Sequence, residues 1–159
     1  MSGSIVMLNL LRFRETADYS ATPKLAPKTA ISGAAAFKRY IEHTLPYLRE
    51  TGGDLLFLGS GGGFLIGPET ERWDMAMLVK QHSVESFLAF ASHSAYLAGL
   101  GHRTAAVEDS RLLPLTELTD PQRTLFSRSS SHPLWSANAA PNRRLVICNY
   151  NCSIMIREI

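Results

Sequence analysis

The chain has 159 residues, of which 45% are hydrophobic and 19% charged, as expected for one globular domain with at most a short appendage. A formal net charge of +2, with no dense run of lysine and arginine, argues against a nucleic-acid partner. The apolar run near the N-terminus is too short for a signal peptide or a membrane span, so we expect a cytoplasmic protein with no membrane partner.

The first part of the chain predicts a strand, a loop and a helix. The run Val6–Phe13 has strand length and is apolar on both faces, which is typical of a central strand. Residues 16–32 contain two prolines and several small residues, and they predict a surface loop. Ser32 is a suitable N-cap for a helix whose apolar side chains recur at helical spacing until Gly52 and Gly53 end it.

Three more short strands are predicted in the rest of this domain. Each is an apolar or alternating run bounded by turn residues. They cover Asp54–Gly59, Asp74–Lys80 and Ala106–Leu113, the last closed by Pro114.

Two helices are predicted between the third and fourth strands. Ser83 caps the first of them. The second begins at about Ser94, and Gly99 and Gly101 are expected to mark its end, because glycine weakens a helix interior. The residues that follow Gly101 would then lie in the connection to the last strand.

The order of these elements predicts an α+β fold of the ferredoxin-like βαββαβ type over residues 4–115, with a four-stranded antiparallel sheet. The helices would cover one face of the sheet. The other face would be too apolar to leave in water, and a contiguous exposed apolar sheet is typical of an interface. A second copy related by two-fold symmetry would cover it, which predicts a homodimer in the form of a dimeric α/β barrel.

Residues 116–159 differ in character and are expected to form an irregular arm that ends in a short hairpin. The hairpin could extend the sheet, wrap the partner subunit or lie loose, and the sequence does not choose among these. Cys148 and Cys152 have a C-x-x-x-C spacing, which favours two free thiols in a reducing compartment over a redox motif.

The segments LNLLRFRETADYS and GPETERWDMAMLVKQHSVESFLAFASHSAYLAGLGHRTAAVEDSRLLP carry a family resemblance. Across Met7–Pro114 the chain resembles an uncharacterised domain-of-unknown-function family of the dimeric α/β-barrel superfamily, with R-W-D and H-R-x-A-A as its most specific segments. Residues 116–159 depart from the usual ending of that family. The superfamily includes cofactor-independent monooxygenases, muconolactone isomerases and haem-dependent chlorite dismutases, so the resemblance alone does not define a function.

Two polar residues lie among apolar neighbours and are candidate ligand contacts. Asn9 has Leu8 and Leu10 beside it, so its amide must hydrogen-bond either a ligand or neighbouring backbone. Tyr40 falls on the buried face of the first helix, where its hydroxyl could reach a pocket or be satisfied within the core. Both alternatives stay open for each residue.

His102 and Arg103 are candidates mainly because of the resemblance, which implies a position near a barrel mouth. Histidine can act as a general acid or base, and arginine can hold a carboxylate by two hydrogen bonds. Alternatively, both side chains stabilise the dipole at the end of a helix. Trp73 and Asp74 must point to opposite faces of a strand, so one of them could reach the pocket. Asp74 could then pair with His102 or Arg103 and orient the base as a second catalytic residue, or form only a surface ion pair.

Several kinds of site are not predicted. The glycines at positions 59, 61, 62 and 63 are followed neither by Lys-Ser/Thr nor by a helix, so they do not form a phosphate loop. The sequence shows no metal-ligand set and no cofactor motif, and we expect neither group. The leading hypothesis is therefore a homodimer that holds a small anionic organic ligand, with apolar walls from Met75, Met77, Phe87 and Tyr96. Alternatives are a cofactor-independent isomerase, decarboxylase or monooxygenase that uses His102 and Arg103, and an oligomeric scaffold without an active site.

Overall fold

A computed structural model describes residues 3–116, 145–150 and 153–158 of the chain. The chain divides into two compact units, Met1–Glu117 and Leu118–Ile159. The stretch predicted as an irregular arm falls almost wholly on residues 117–144, outside the described part, as does Cys152. None of the helices in the described ranges combines the length and the hydropathy needed to cross a bilayer.

The first unit has the predicted βαββαβ order, and the α+β fold class is confirmed. Its four strands form one antiparallel sheet in the order β2-β3-β1-β4. The strands are β1 (Ile5–Phe13), β2 (Asp54–Ser60), β3 (Met75–Gln81) and β4 (Val107–Thr116). The helices are α1 (Gly33–Glu50), α2 (Val84–Ala91) and α3 (Ser94–Ala106), and a single 3₁₀ turn spans Pro23–Leu25. In the second unit, β5 (Leu145–Tyr150) and β6 (Ser153–Glu158) pair antiparallel.

The register around β1 defines the two faces of the sheet. Met7, Asn9 and Leu11 alternate along β1 and are buried, whereas Leu8 and Leu10 between them are only partly covered. Since directly paired residues share a face of an antiparallel sheet, Ser110 lies on the same face as its partner Leu11. A hydrogen bond from α3 reaches Ser110, which identifies this as the face that the helices cover.

The serine caps predicted for α1 and α2 are confirmed. The Ser32 side chain accepts a hydrogen bond from the backbone N–H of Ala35 at 3.2 Å. The Ser83 side chain accepts one from the N–H of Ser86 at 3.1 Å. Each cap satisfies a donor that the first turn of a helix would otherwise leave unpaired, which fixes where these helices begin.

The predicted end of the last helix is wrong. α3 continues through both glycines to Ala106. A Cβ atom at Gly99 would overlap the ring of His43 on α1, and one at Gly101 would lie 2.7 Å from the side chains of Thr22 and Leu25. The two glycines therefore let other segments pack closely against α3, and the cost of glycine within the helix is offset by that packing.

The predicted end of the last strand is also wrong, because β4 continues past Pro114 to Thr116. Pro114 is paired with Met7, and β4 is an edge strand in the sheet order. An edge strand has one side with no neighbouring strand, so a residue without an N–H can be accommodated there.

Candidate functional site

The centre of the candidate site is a charged side chain inside the domain. Arg103 lies on α3 and has only 7% of its surface exposed. Its Nη2 donates a hydrogen bond to the Oγ of Ser110 on β4, at 3.3 Å. Since α3 presents this residue toward the sheet, the guanidinium lies between the helices and the strands.

Two tyrosines extend this group of polar side chains. The hydroxyls of Tyr40 on α1 and Tyr96 on α3 lie 3.4 Å apart, and both side chains are buried. Burial and the neighbouring Tyr40 raise the pKa of the Tyr96 hydroxyl, and Arg103 opposes that shift. The Tyr96 hydroxyl is therefore protonated at neutral pH and can donate a hydrogen bond. We call Tyr40, Tyr96, Arg103 and Ser110 the polar cluster.

Aromatic side chains pack around the polar cluster. The Phe90 ring centroid lies 4.3 Å from that of Tyr96, and the Phe37 centroid lies 5.3 Å from that of Tyr40. Of the apolar wall residues proposed from the sequence, three are buried and Met75 is partly exposed; the buried ones are Met77, Phe87 and Tyr96. The surroundings of the cluster are apolar, so the electrostatic interactions inside it are weakly screened.

Asn9 lies beside the polar cluster on the helix-covered face. It is buried, and β1 places it two residues before Leu11, the partner of Ser110. Its Nδ2 donates a hydrogen bond to the carbonyl of Met7 at 3.1 Å. The backbone thus supplies a partner for one N–H of this amide, as one of the two alternatives for the residue expects.

His102 has different surroundings, although it adjoins Arg103 in sequence. Its Nδ1 lies 2.9 Å from the Tyr19 hydroxyl, which can donate to the neutral imidazole. Burial, then Arg39 and His43, lower the pKa of His102. Successive residues leave a helix about 100° apart, so a side chain that meets Tyr19 and one that meets the sheet point in different directions.

Trp73 and Asp74 lie immediately before β3, in a third environment. Asp74 accepts hydrogen bonds from the Phe13 N–H at 2.8 Å and from Arg72 at 3.1 Å. The bond from Phe13, opposed in part by desolvation and reinforced by Arg72, lowers the pKa of the Asp74 carboxyl. Trp73 is buried and donates from Nε1 to Glu71, and the guanidinium of Arg111 lies 5.1 Å from the centroid of its ring.

The sequence-based candidates thus separate into groups. Tyr40 meets Tyr96 through their hydroxyls, and Arg103 follows Tyr96 by seven residues on the same face of α3, whereas Asp74 contacts Phe13 and Arg72 and His102 contacts Tyr19. Sequence reasoning missed Ser110 as a partner of Arg103, and Tyr19 and Arg39 as neighbours of His102. The sequence carried no signal for Ser110, since it follows Glu108 and Asp109 and precedes Arg111 in a polar part of the strand. Within the described residues, no three His, Cys, Asp or Glu side chains are arranged to hold a metal ion.

Comparison with solved structures identifies a related protein. RPA0582, a protein of unknown function from Rhodopseudomonas palustris, is 34% identical; the match covers 76% of this chain and 86% of that one, with a TM-score of 0.67. The structure of methylated RPA0582 matches with 35% identity over 76% of this chain and 84% of that one, again with a TM-score of 0.67. No protein-family model and no curated protein matches the chain.

Proposed function

The chain belongs to the uncharacterised ferredoxin-like family that includes RPA0582 of Rhodopseudomonas palustris, and we propose that it is a homodimeric protein that holds a small organic anion between its sheet and its helices. The observation that carries the ligand proposal is the buried guanidinium of Arg103, which shares a face of α3 with Tyr96, whose hydroxyl meets that of Tyr40. Polar groups are costly in a core, and a binding role explains why four of them converge here.

The chemistry of the cluster favours an anion. A guanidinium can bind a carboxylate through two parallel N–H donors, and a protonated phenol adds a third donor. The aromatic rings of Phe37 and Phe90 would suit an apolar body attached to that anionic group. A small aromatic or branched carboxylate combines both properties.

Native mass spectrometry of protein purified gently from its host tests this proposal. We expect the wild-type protomer to carry an additional mass of about a few hundred daltons or less, as for a small organic molecule bound within one domain. The Arg103→Met variant should lose that mass, whereas Arg49→Met, which removes an exposed arginine from α1, should keep it. Retention of the same mass by folded Arg103→Met would refute the assignment, and circular dichroism establishes that each variant is folded.

The homodimer proposal depends on the face of the sheet that the helices leave uncovered. This open face carries apolar side chains from all four strands: Leu8, Leu10, Phe57, Leu78, Leu113 and Leu115. Phe57 and Leu113 are each 53% exposed in the protomer. A contiguous apolar surface of this kind supports an interface, and a second copy can cover it through two-fold symmetry.

Sedimentation velocity over a range of concentrations tests the homodimer. The wild-type chain should sediment as a dimer at micromolar concentration. Leu113→Asp should convert it to a monomer, because it would bury an unpaired carboxylate in the interface. The matched control is Leu97→Asp on α3, since that residue is also exposed and apolar but lies outside the open face. A monomeric wild type, or a Leu113→Asp variant that stays dimeric, would contradict the proposal.

Acid–base catalysis by His102 is a second candidate function, favoured by the hydrogen bond between His102 and Tyr19. A neutral imidazole is available as a base at neutral pH, and the nearby positive charge of Arg39 would stabilise a developing anion. Arg39 would then take the electrostatic role first assigned to Arg103. Once the ligand is identified, incubation with wild type should yield a product of different mass, and His102→Gln should yield none. Equal conversion by the two proteins would exclude this role.

A further inference from the structure

The connection between β2 and β3 forms an arm that projects from the end of the sheet. Beyond Ser60, the ladder continues through bonds from the Gly61 N–H to the Asp74 carbonyl at 2.9 Å and from the Trp73 N–H to the Gly62 carbonyl at 3.1 Å. A further bridge pairs Gly63 with Arg72. From this point the arm means residues 61–72, as distinct from the C-terminal residues 116–159. These bonds show that the arm continues the direction of the β2–β3 hairpin.

The tip of the arm is apolar and exposed. All ten residues from 61 to 70 are exposed in the protomer. Leu65 and Ile66 are fully exposed, and about half of the Phe64 surface is exposed. Isolated surface leucines are common, but three consecutive large apolar side chains on a projecting loop are typical of a contact surface.

We propose that the arm clasps the second copy of this chain, with Leu65 and Ile66 buried against it. This inference rests on the proposed homodimer. The position of the arm supports it: the arm continues β2 and β3 beyond Ser60, and these strands carry Phe57 and Leu78 of the open face. A copy that covers the open face can therefore also reach the arm.

The charges of the arm favour a protein partner over a lipid surface. Glu69, Glu71 and Arg72 follow the apolar tip, so the arm carries a net negative charge and would be repelled by anionic lipids. Two aliphatic side chains also bury less apolar surface than a single acyl chain, which by itself anchors a protein only marginally.

The test is the dimer dissociation constant of the double variant L65S/I66S, measured by sedimentation. Each arm would contribute two buried side chains, four per dimer, so we expect the dissociation constant to rise at least about a hundredfold. Both residues are exposed in the protomer, so the substitutions should leave its fold intact, as thermal unfolding of diluted protein can establish. Leu97→Ser on α3 is the matched control and should leave the constant unchanged.

The outcomes separate this inference from the homodimer on which it rests. If wild type is a dimer that Leu113→Asp disrupts but L65S/I66S does not weaken, the arm inference fails and the sheet interface stands. If wild type is a monomer, both fail. Co-sedimentation with phosphatidylcholine vesicles, lost in L65S/I66S, would overturn the arm inference in favour of a membrane contact.

Discussion

Replacing Tyr96 by Phe should lower the free energy of unfolding by about 1–2 kcal/mol. The substitution keeps the ring among its aromatic neighbours but removes one of two buried hydroxyls that lie 3.4 Å apart. A net hydrogen bond contributes about 1 kcal/mol, and a buried hydroxyl that is left unpaired costs about 1–3 kcal/mol. The Oη–Oη distance is long for a hydroxyl pair, so the expected loss lies toward the lower end of that range.

The double variant with Phe at both Tyr40 and Tyr96 should be less destabilised than the sum of the two single variants. When both partners of a buried pair become apolar at the same shape, no hydroxyl is left unpaired, and the change can be nearly neutral. The double-mutant cycle should therefore give a coupling energy of about 1 kcal/mol between the two hydroxyls. The same double variant should carry less of the bound mass, because the phenol donor proposed for the anion is gone while the guanidinium of Arg103 remains.

Urea unfolding of the wild type, both single variants and the double variant measures the cycle, and native mass spectrometry measures the ligand. Additive single effects would show that the hydroxyls do not interact. A double variant that carries as much ligand as wild type would show that the pair is not a binding element. The first result would refute the pairing of the hydroxyls, and the second would refute the assignment of the tyrosines to the site.

Three further predictions follow from local contacts. Gly33→Ala should lower the free energy of unfolding by about 3 kcal/mol, because a Cβ there would overlap the carbonyl oxygens of two backbone segments. Gly63→Ala is the control: a Cβ there meets open space, so the free energy of unfolding should change by less than about 1 kcal/mol. Similar urea midpoints for the two variants would contradict this. Asp74→Asn should lower the free energy of unfolding above about pH 5, where the carboxylate of wild type is ionised in both the folded and the unfolded state. The difference from wild type should shrink as the pH falls through the lowered pKa of folded Asp74. Unfolding curves at several pH values check this, and a difference that does not change with pH would count against it. Arg39→Gln should raise the pKa of His102 toward its ordinary value, because a nearby positive charge is removed; an unchanged NMR titration of the imidazole protons would show that Arg39 does not act on it.

The fold could be predicted from the sequence because its signals are local. The apolar run of β1 and the capping serines before α1 and α2 each fix an element by contacts within a few residues. The order of those elements then leaves few topologies. Membership of an uncharacterised family was likewise predicted from short segments such as R-W-D and H-R-x-A-A, and the 34% identity with RPA0582 confirms it.

Two boundaries could not be predicted, since each depends on a distant partner. Gly99 has the same local character as a glycine that ends a helix, and only the approach of His43 from α1 shows that it permits close packing. Pro114 would interrupt a central strand, and only the sheet order shows that β4 lies at the edge. Neither the approach of His43 to Gly99 nor the edge position of β4 can be inferred from the spacing of residues in the sequence.

The candidate site was predictable in its residue types but not in its groupings. His102 and Arg103 are adjacent in sequence and were expected to share a barrel mouth after the helix had ended. Because α3 continues past both, helical geometry directs one toward Tyr19 and the other toward Ser110. The error in the helix end therefore produced the error in the grouping.

The two faces of the sheet imply that dimerisation and ligand binding are separable. The polar cluster is formed by one chain on the helix-covered face, whereas Leu113 lies on the opposite face of β4 from Ser110. A monomeric Leu113→Asp variant should therefore keep the bound mass in native mass spectrometry, while Arg103→Met should stay dimeric and lose it. If the folded monomer instead loses the ligand, the partner must complete the site, and the polar cluster alone would not account for binding.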